Sequence, residues 1–301
     1  MSCKILAVGE VLWDLLPTGK QLGGAPANFT FHCRSLGALA GLVTRVGDDD
    51  LGRQVLERFR LLSLPTETVQ VDPTWPTGTV SVTLAADGQP RFTIHEHVAW
   101  DRIGADEAGL ALARAADAVC FGSLAQRSEP ARRAIRSLVS AARPEALRVF
   151  DVNLRPPFID RDVIAYSLKL ADVLKLNDVE LPELAALFGL HAGVREGMEE
   201  LAGRFGLSLV ALTRGAGGSL LWADGRWSDH PGRPAEVCDT IGAGDAFTAC
   251  LVVGLLAGRP LDAINRHANE VAAFVCSQPG GTPSIPDTLK LFAASAPEDT
   301  L

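Results

Sequence analysis

The sequence predicts an α/β fold in which a doubly wound, mostly parallel sheet is flanked by helices and carries a small β-sheet lid. Two observations support this fold class. Short runs of Val, Ile and Leu alternate with segments of helical period, and residues 77–94 break that alternation. The 301 residues and the 47% hydrophobic content suit one large domain, which we predict to span residues 1–301.

The alternating segments predict the main layer in chain order. The predicted strands are residues 5–8, 118–121, 148–151, 173–176 and 209–212. The predicted helices are residues 106–116, 129–142, 162–170, 180–188, 195–205, 244–256 and 261–275. Ligands bind at the carboxyl ends of parallel strands, so we expect the polar residues that follow these strands to line a pocket.

The lid is predicted from the stretch that breaks the alternation. Apolar residues alternate from Val80 to Leu84, a turn is expected at Asp87-Gly88, and the chain returns through Phe92 and Ile94. We expect segments of about 11–22 and 68–100 to form a secondary sheet that covers a ligand.

Charge and cysteine content exclude several classes of protein. The net charge is −8 and no basic stripe is present, so we expect no nucleic-acid partner. The six cysteines are scattered, which is typical of buried free thiols in a reducing compartment. No signal peptide opens the chain and no apolar run reaches the roughly 18 residues of a membrane span. We therefore expect a cytoplasmic protein without a membrane partner.

The stretch DTIGAGDAF, residues 239–247, is the first candidate for chemistry. Small residues before an apolar helix leave the backbone N–H groups of the first turn open to an anion such as phosphate. Asp245 lies in that turn, where the helix dipole favours an ionised carboxylate that can accept a proton from an attacking hydroxyl. The alternative is a helix-stabilising acid after a tight turn formed by Gly242 and Gly244.

Three more stretches have both a functional and a structural interpretation. GGAPAN, residues 23–28, could bring a sugar close to the backbone, or could be a glycine loop before a helix. Asn177 and Glu180 could organise the waters of a phosphate-bound Mg²⁺, or could form a capping box. TRGAGG, residues 213–218, could wrap nucleotide phosphates, or could be a turn between strands.

Absent motifs exclude P-loop enzymes and weaken the alternative of a dinucleotide-binding oxidoreductase. The pair Gly19-Lys20 is followed by Gln21, so the chain contains no P-loop motif. The predicted first strand leads into Gly9-Glu10-Val11 and lacks the G-x-G-x-x-G fingerprint of dinucleotide-binding oxidoreductases.

Together, GGAPAN, N-x-x-E and DTIGAGDAF resemble the ribokinase-like (PfkB) carbohydrate kinases in order and separation, over essentially the whole chain. The resemblance implies a ribokinase-like doubly wound fold with a lid. It also implies transfer of the γ-phosphoryl group of ATP to a sugar hydroxyl, with Mg²⁺ as cofactor. A non-catalytic sugar-binding member is the alternative from another class, but such a member would usually have lost Asp245.

The resemblance also implies site residues. Asp245 would be the catalytic base, with Gly242, Ala243 and Gly244 as the anion hole and Arg155 near the transferred group. The sugar contacts would be Asp14, Gly24, Asn28 and Trp100, with Trp100 closing the pocket. The contacts to nucleotide, phosphate and Mg²⁺ waters would be Asn177, Glu180, Thr213, Gly215, Gly218 and Asn269, the last near the adenine. A monovalent cation such as K⁺ would lie at Asp239, Ile241, Val275, Gln278, Gly280 and Ser284.

The acceptor is the least constrained part of the resemblance. The segment GEVLWDLLP, residues 9–17, the residues around Trp100 and the Asp151 to Arg155 stretch look most like the fructokinase branch. The Asp151 to Arg155 stretch also occurs in 2-keto-3-deoxygluconate kinases, so a keto acid sugar is the first alternative to fructose. Ribose or a nucleoside is the next alternative. The family implies a small-molecule sugar substrate, and we also expect a homodimer that forms through the lid.

Overall fold

The computed structural model describes residues 3–16, 19–84 and 90–290. Its strands are β1 (Lys4–Val8), β2 (Leu12–Leu16), β3 (Gly19–Gly23), β4 (Leu39–Gly47), β5 (Val69–Asp72), β6 (Gly78–Leu84), β7 (Pro90–Ile94), β8 (Ala118–Gly122), β9 (Leu147–Asp151), β10 (Val173–Asn177), β11 (Leu209–Thr213), β12 (Ser219–Ala223) and β13 (Arg226–His230). Its α-helices are α1 (Ala25–Ser35), α2 (Asp50–Leu61), α3 (Glu107–Ala115), α4 (Glu129–Ala141), α5 (Arg161–Leu170), α6 (Glu180–Phe188), α7 (Val194–Phe205), α8 (Ala243–Leu256), α9 (Leu261–Cys276) and α10 (Asp287–Lys290).

The main sheet has nine strands within the described residues, in the order β13-β12-β11-β10-β9-β8-β1-β4-β5. The strands from β11 to β5 are parallel, while β12 and β13 add an antiparallel edge. Core clusters cover both faces of the sheet, which explains the continuous apolar run Ile5–Val8 in β1. These features confirm the predicted α/β class.

The order of the strands places a crevice beside β1. From β1 the chain winds outward through β4 to β5, and then crosses back to β8 on the other side of β1. Helices that leave neighbouring strands in opposite directions open a crevice at the carboxyl ends of those strands. The segments that follow β1 and β8 are therefore the expected site of a ligand.

The predicted small second sheet, which we call the lid, is present, but its extent differs from the prediction. It has the order β3-β2-β6-β7, in which β2 pairs with β6 in parallel and the other pairs are antiparallel. The expected turn at Asp87-Gly88 lies outside the described residues. The predicted lid segment 68–100 was too long, because β5 pairs with β4 at the edge of the main sheet.

Several elements were not predicted. The strand β4 reads LAGLVTRVG, in which small and polar residues interrupt the apolar run that would have indicated a strand. The hairpin of β12 and β13 turns at Asp224 and Gly225, whose φ angles of 48° and 77° are those of a type I′ turn. The Asp-Gly pair was a readable signal for that hairpin.

The cysteines of the described residues are free thiols, but they are not all buried as predicted. Cys33, Cys120 and Cys250 lie in the interior, whereas Cys238 is exposed. In the described part of the chain, no helix is both long enough and apolar enough to cross a bilayer.

Candidate active site

Asp245 lies in the first turn of α8, next to an exposed loop. The residue before this helix, Gly242, has a φ of 79°, and a Cβ there would collide with the carbonyl oxygen of Gly281. Glycine is therefore required at position 242 on two grounds, the left-handed backbone and the close approach. Helix α8 begins with backbone N–H groups that have no partner within the helix, as an anion site requires.

Helix α1 connects the GGAPAN stretch to Asp245. The Asn28 side-chain amide donates a hydrogen bond of 2.9 Å to Oδ2 of Asp245. One turn later, Nε2 of the buried His32 donates to the carbonyl oxygen of Gly281 over 2.9 Å. One face of α1 thus holds both the carboxylate and the loop that packs against Gly242.

The ionisation of Asp245 is set by burial rather than by the helix dipole that we expected to dominate. Burial and the neighbouring Asp151 raise the pKa of Asp245 to about 6, against the lowering effects of the Asn28 hydrogen bond, Lys175 and Arg155. The carboxyl is still mainly ionised at pH 7. A carboxylate with a pKa near 6 is a stronger base than an exposed aspartate and suits proton abstraction from a hydroxyl.

Asp14 provides a second carboxyl from the lid side. It lies in the middle of β2, paired with Gln21 of β3 and Val80 of β6. Burial raises its pKa to about 6, while Arg155 lowers it. Because the exposed Arg155 also lowers the pKa of Asp245, the guanidinium and the two carboxyls belong to one electrostatic neighbourhood.

Trp100 is not at the surface of this crevice, and the prediction that it closes the pocket is wrong. Its side chain is fully buried in the main core cluster. The Arg127 guanidinium lies 3.9 Å from the centre of its ring, and Gly78 packs against its Nε1. Trp100 therefore supports the base of the lid and presents no surface to a ligand.

A cavity of about 910 Å³ opens beside Gly244 and is separate from the crevice around Asp245. It is lined by predicted residues, namely Asn177, Thr213, Gly215, Gly218, Gly244 and Asn269. It is also lined by residues that sequence reasoning missed, including Gly232, Phe247 and Cys276. The size is that of a drug-sized or nucleotide ligand. Along α9, Asn269 and Cys276 are seven residues apart, about 10 Å in a helix, so the cavity extends well away from the first turn of α8.

The amide of Asn269 has a fixed orientation in this cavity. Its Nδ2 donates to the backbone carbonyl of Asn265 over 2.8 Å and to the Ser219 hydroxyl over 2.7 Å. A backbone carbonyl can only accept, so the nitrogen must point into the protein. The remaining atom, Oδ1, can accept a hydrogen bond from a ligand donor such as an exocyclic amine.

Asn177 and Glu180 form the reciprocal arrangement of a capping box. The Glu180 backbone N–H donates to Asn177 Oδ1 over 2.9 Å, and Asn177 N–H donates to Glu180 Oε2 over 2.8 Å. Glu180 Oε1 accepts from the backbone of Leu154 and the side chain is buried. The capping box, which was the structural alternative for these two residues, is therefore present. Only the lone pairs of Glu180 that accept no backbone hydrogen bond remain for a metal ion or its waters.

A buried charged network beneath the crevice was not predicted. Lys175 of β10 pairs with Asp151 at the end of β9 over 3.2 Å, and Thr248 of α8 donates to Asp151 over 2.9 Å. Lys175 Nζ lies 3.3 Å from the point where a Cβ of Gly244 would be. A lysine inside the apolar run VLKLN was a signal for a buried ion pair.

The six predicted cation positions are only partly brought together. Asp239 accepts backbone hydrogen bonds from Ile241 over 3.0 Å and from Gly280 over 3.1 Å, so it ties the two loops. Val275 is buried in α9, the Gln278 amide bonds to Ser277, and Ser284 is exposed. Across residues 3–16, 19–84 and 90–290, no cluster of three or more His, Cys, Asp or Glu side chains could hold a metal ion.

Comparison with known proteins gives one family. The model of the pfkB family carbohydrate kinase matches residues 15–288. A protein named fructokinase from Klebsiella pneumoniae is 32% identical over 268 residues, covering 85% of this chain and 86% of that protein.

Solved structures agree with the sequence relatives. A sugar kinase from Pyrococcus horikoshii, PH1459, solved in complex with ATP, is 29% identical with a TM-score of 0.83, covering 97% of this chain and 98% of that chain. The fructokinase of Xylella fastidiosa with bound ATP has a TM-score of 0.83 at 23% identity, covers 95% of this chain and 96% of that one, and supports the fold alone. With the family model matching most of its length and Asp245 and Asn28 joined in one site, the chain belongs to the pfkB family carbohydrate kinases.

Proposed function

We propose that this kinase transfers the γ-phosphoryl group of ATP to a hydroxyl of D-fructose, with Asp245 as the catalytic base. The hydrogen bond from Asn28 to Asp245 is the observation that carries the proposal, because it joins the GGAPAN stretch to the base beside an anion site. The fructokinase name of the Klebsiella pneumoniae relative supports the choice of sugar.

The crevice between the lid and α1 suits the acceptor. Asp14, Gly24 and Asn28 would hold the sugar hydroxyls, and Asp245 would take the proton of the reacting one as its oxygen attacks phosphorus. The N–H groups of the first turn of α8, at Gly242, Ala243 and Gly244, would receive the charge of the transferred group. Arg155, exposed beside both carboxyls, would neutralise part of that charge.

The cavity beyond Gly244 suits ATP. Thr213, Gly215 and Gly218 would line the phosphates, with the base toward Asn269. Asn177 and Glu180 fit a Mg²⁺ ion held through waters, because the Glu180 oxygens already accept two backbone hydrogen bonds and the ion binds few protein ligands directly. When bound, Mg²⁺ neutralises phosphate charge. A K⁺ ion would bind through carbonyl groups of the loops that Asp239 ties.

Arg155 favours one alternative acceptor. A guanidinium near the sugar site can bind a carboxylate in a forked geometry, as a 2-keto-3-deoxygluconate kinase would need. Ribose and nucleosides remain weaker alternatives. A non-catalytic sugar-binding role is disfavoured, since Asp245 and its Asn28 partner are both in place. We place the enzyme in the cytoplasm and expect a homodimer formed through the lid.

The acceptor is tested by ADP release in a coupled assay with fructose, 2-keto-3-deoxygluconate, ribose, inosine and adenosine. We expect the largest kcat/KM with fructose. A large preference for any other acceptor contradicts the proposed sugar, and ADP release with none of them contradicts the proposed reaction.

The catalytic assignment is tested by Asp245→Asn. We expect the variant to keep its melting temperature while kcat falls by about 10² to 10⁴, the usual contribution of a general base. Asp262→Asn, at an exposed aspartate in the first turn of α9 and outside the lining of the large cavity, is the matched control and should keep its kcat. Undiminished turnover in Asp245→Asn would rule out this carboxyl as the base.

A further inference from the structure

Glu10 is a buried carboxyl beside Asp245 to which the proposed mechanism gives no role. It follows β1 at the crevice and is 3% exposed. Its Oε2 is buried and has no hydrogen-bond partner among the described residues. Leaving a buried polar atom unpaired destabilises a protein, so the position calls for an explanation in function.

Glu10 lines a small cavity of about 20 Å³ that it shares with Asp245, Asp151, Asn153 and Ser123. That volume has room for about one oxygen atom with its hydrogens. Asp245 is bonded to Asn28, Asp151 to Lys175 and Thr248, and Ser123 to the carbonyl of Val152. Of these cavity-lining groups, Glu10 is the one with an unpaired buried oxygen.

The charges around the cavity favour a neutral Glu10. Three carboxyls face it, while Lys175 pairs with Asp151. Burial is the largest effect and raises the pKa of Glu10, while its own backbone N–H and Arg155 lower it; Asp245 then raises it and Arg127 lowers it by smaller amounts. In either protonation state a carboxyl oxygen can accept the hydrogen bond that a hydroxyl donates.

The cavity shares charged groups with the proposed sugar site. Asp245 lines it directly, and Arg155 acts on Glu10, Asp14 and Asp245 alike. Gly24 packs with its Cα close to the backbone of Glu10, because a Cβ there would lie 2.6 Å from the Glu10 carbonyl oxygen. An alcohol held at Asp245 would therefore lie close to the cavity that Glu10 lines.

We propose that Glu10 binds one non-reacting hydroxyl of the acceptor sugar in this cavity and so determines which sugars are accepted. This inference rests on the proposed function and adds a specificity residue to it. A site built to hydrogen-bond a hydroxyl rejects analogues that lack it, because the buried carboxyl is then left unpaired.

A pair of variants separates the shape of Glu10 from its hydrogen bonding. Glu10→Met fills similar space without polar atoms, and kcat/KM for fructose should fall roughly 10- to 100-fold. Its melting temperature should equal or exceed that of the wild type, since an unpaired buried carboxyl is removed. Glu10→Gln keeps a donor and an acceptor and should recover most of the loss.

Thr44→Val is the matched control. Thr44 of β4 is fully buried and its hydroxyl also has no partner among the described residues, but it lies outside the cavity. This variant should keep the wild-type kcat/KM for fructose.

The decisive measurement uses D-fructose, its 1-, 3-, 4- and 6-deoxy forms, and 2,5-anhydro-D-mannitol, which lacks the anomeric hydroxyl. For one analogue, the ratio of kcat/KM between wild type and Glu10→Met should collapse to about one, because the hydroxyl that Glu10 binds is already missing. The other reactive analogues should keep the full ratio.

Two outcomes overturn the inference. If Glu10→Met lowers kcat/KM by the same factor for every analogue, Glu10 binds a water or another protein group and not a sugar hydroxyl. If Glu10→Met does not lower kcat/KM for fructose, Glu10 has no role in the reaction. If the wild type does not phosphorylate fructose, the proposed acceptor fails instead. The same comparison is then made with monodeoxy forms of the acceptor that it does phosphorylate.

Discussion

At the scale of the residue, the raised pKa of Asp245 predicts how activity depends on pH. Burial and Asp151 set this pKa at about 6, so the ionised fraction, and with it kcat, should fall about tenfold per pH unit below that value. Asn28 lowers this pKa through its hydrogen bond. Asn28→Ala should therefore move the acid limb of the kcat profile to higher pH.

Thr30→Val on the same helix serves as the control for that profile. Its hydroxyl donates to the Pro26 carbonyl and does not contact Asp245, so its acid limb should match that of the wild type. An unmoved limb in Asn28→Ala would mean that the bond to Asp245 does not tune the base.

The predicted site residues that the structure brings together have a local signal in the sequence. Asp245 follows small residues at a helix start, and Asn28 follows a glycine pair, so both positions were readable from the chain. Glu10 and Lys175 depend on contacts with distant strands and were missed. Trp100 was misplaced because an aromatic side chain near a lid has the same sequence signal whether it faces a ligand or the core.

At the scale of the element, the start of α8 depends on the backbone of Gly242. Gly242→Ala places a Cβ against the Gly281 carbonyl and should lower both the melting temperature and kcat. Gly258→Ala, just after the same helix, has a similar φ of 63° with nothing within 4 Å of the added Cβ. It should cost only about 1 kcal/mol of stability and leave kcat unchanged.

Equal effects of the two glycine variants would refute the importance of the contact with Gly281. A larger loss of kcat in Gly242→Ala, measured with saturating ATP and acceptor, would confirm that the loop around Gly281 supports the anion site.

Elements with a strongly periodic pattern of apolar residues were predicted best. Five strands of the parallel layer, β1 and β8 to β11, and the helices from α3 to α9 were found because each has a clear apolar pattern. β4, β12 and β13 were missed because polar residues interrupt their apolar patterns; Ser219 of β12, for example, meets its partners Asn265 and Asn269 of α9 only in the folded protein. The lid was overextended through β5, since pairing partners cannot be read from a single strand.

At the scale of the whole molecule, the lid carries an exposed apolar side chain that fits the proposed dimer. Phe92 of β7 is 64% exposed, and strand register places it on the same sheet face as Asp14. We expect light scattering to give twice the mass of one chain, and Phe92→Asp to give the single mass with a raised KM for the sugar.

Leu61→Asp is the control for the dimer. Leu61 ends α2 and is 68% exposed, but it lies outside the lid, so its variant should keep the double mass. A wild-type protein with the mass of one chain would contradict dimerisation through the lid.

The hydrogen bond between Asn28 and Asp245 joins residues 217 positions apart. During synthesis at roughly 5–20 residues per second, the ribosome releases Asn28, a proposed sugar contact, well before it makes Asp245, the proposed base. The Gly281 loop, which braces the anion site, follows later still. Phosphoryl transfer can begin only after both ends of the chain have met, so the first turnover of a newly made molecule reports that its folding is complete.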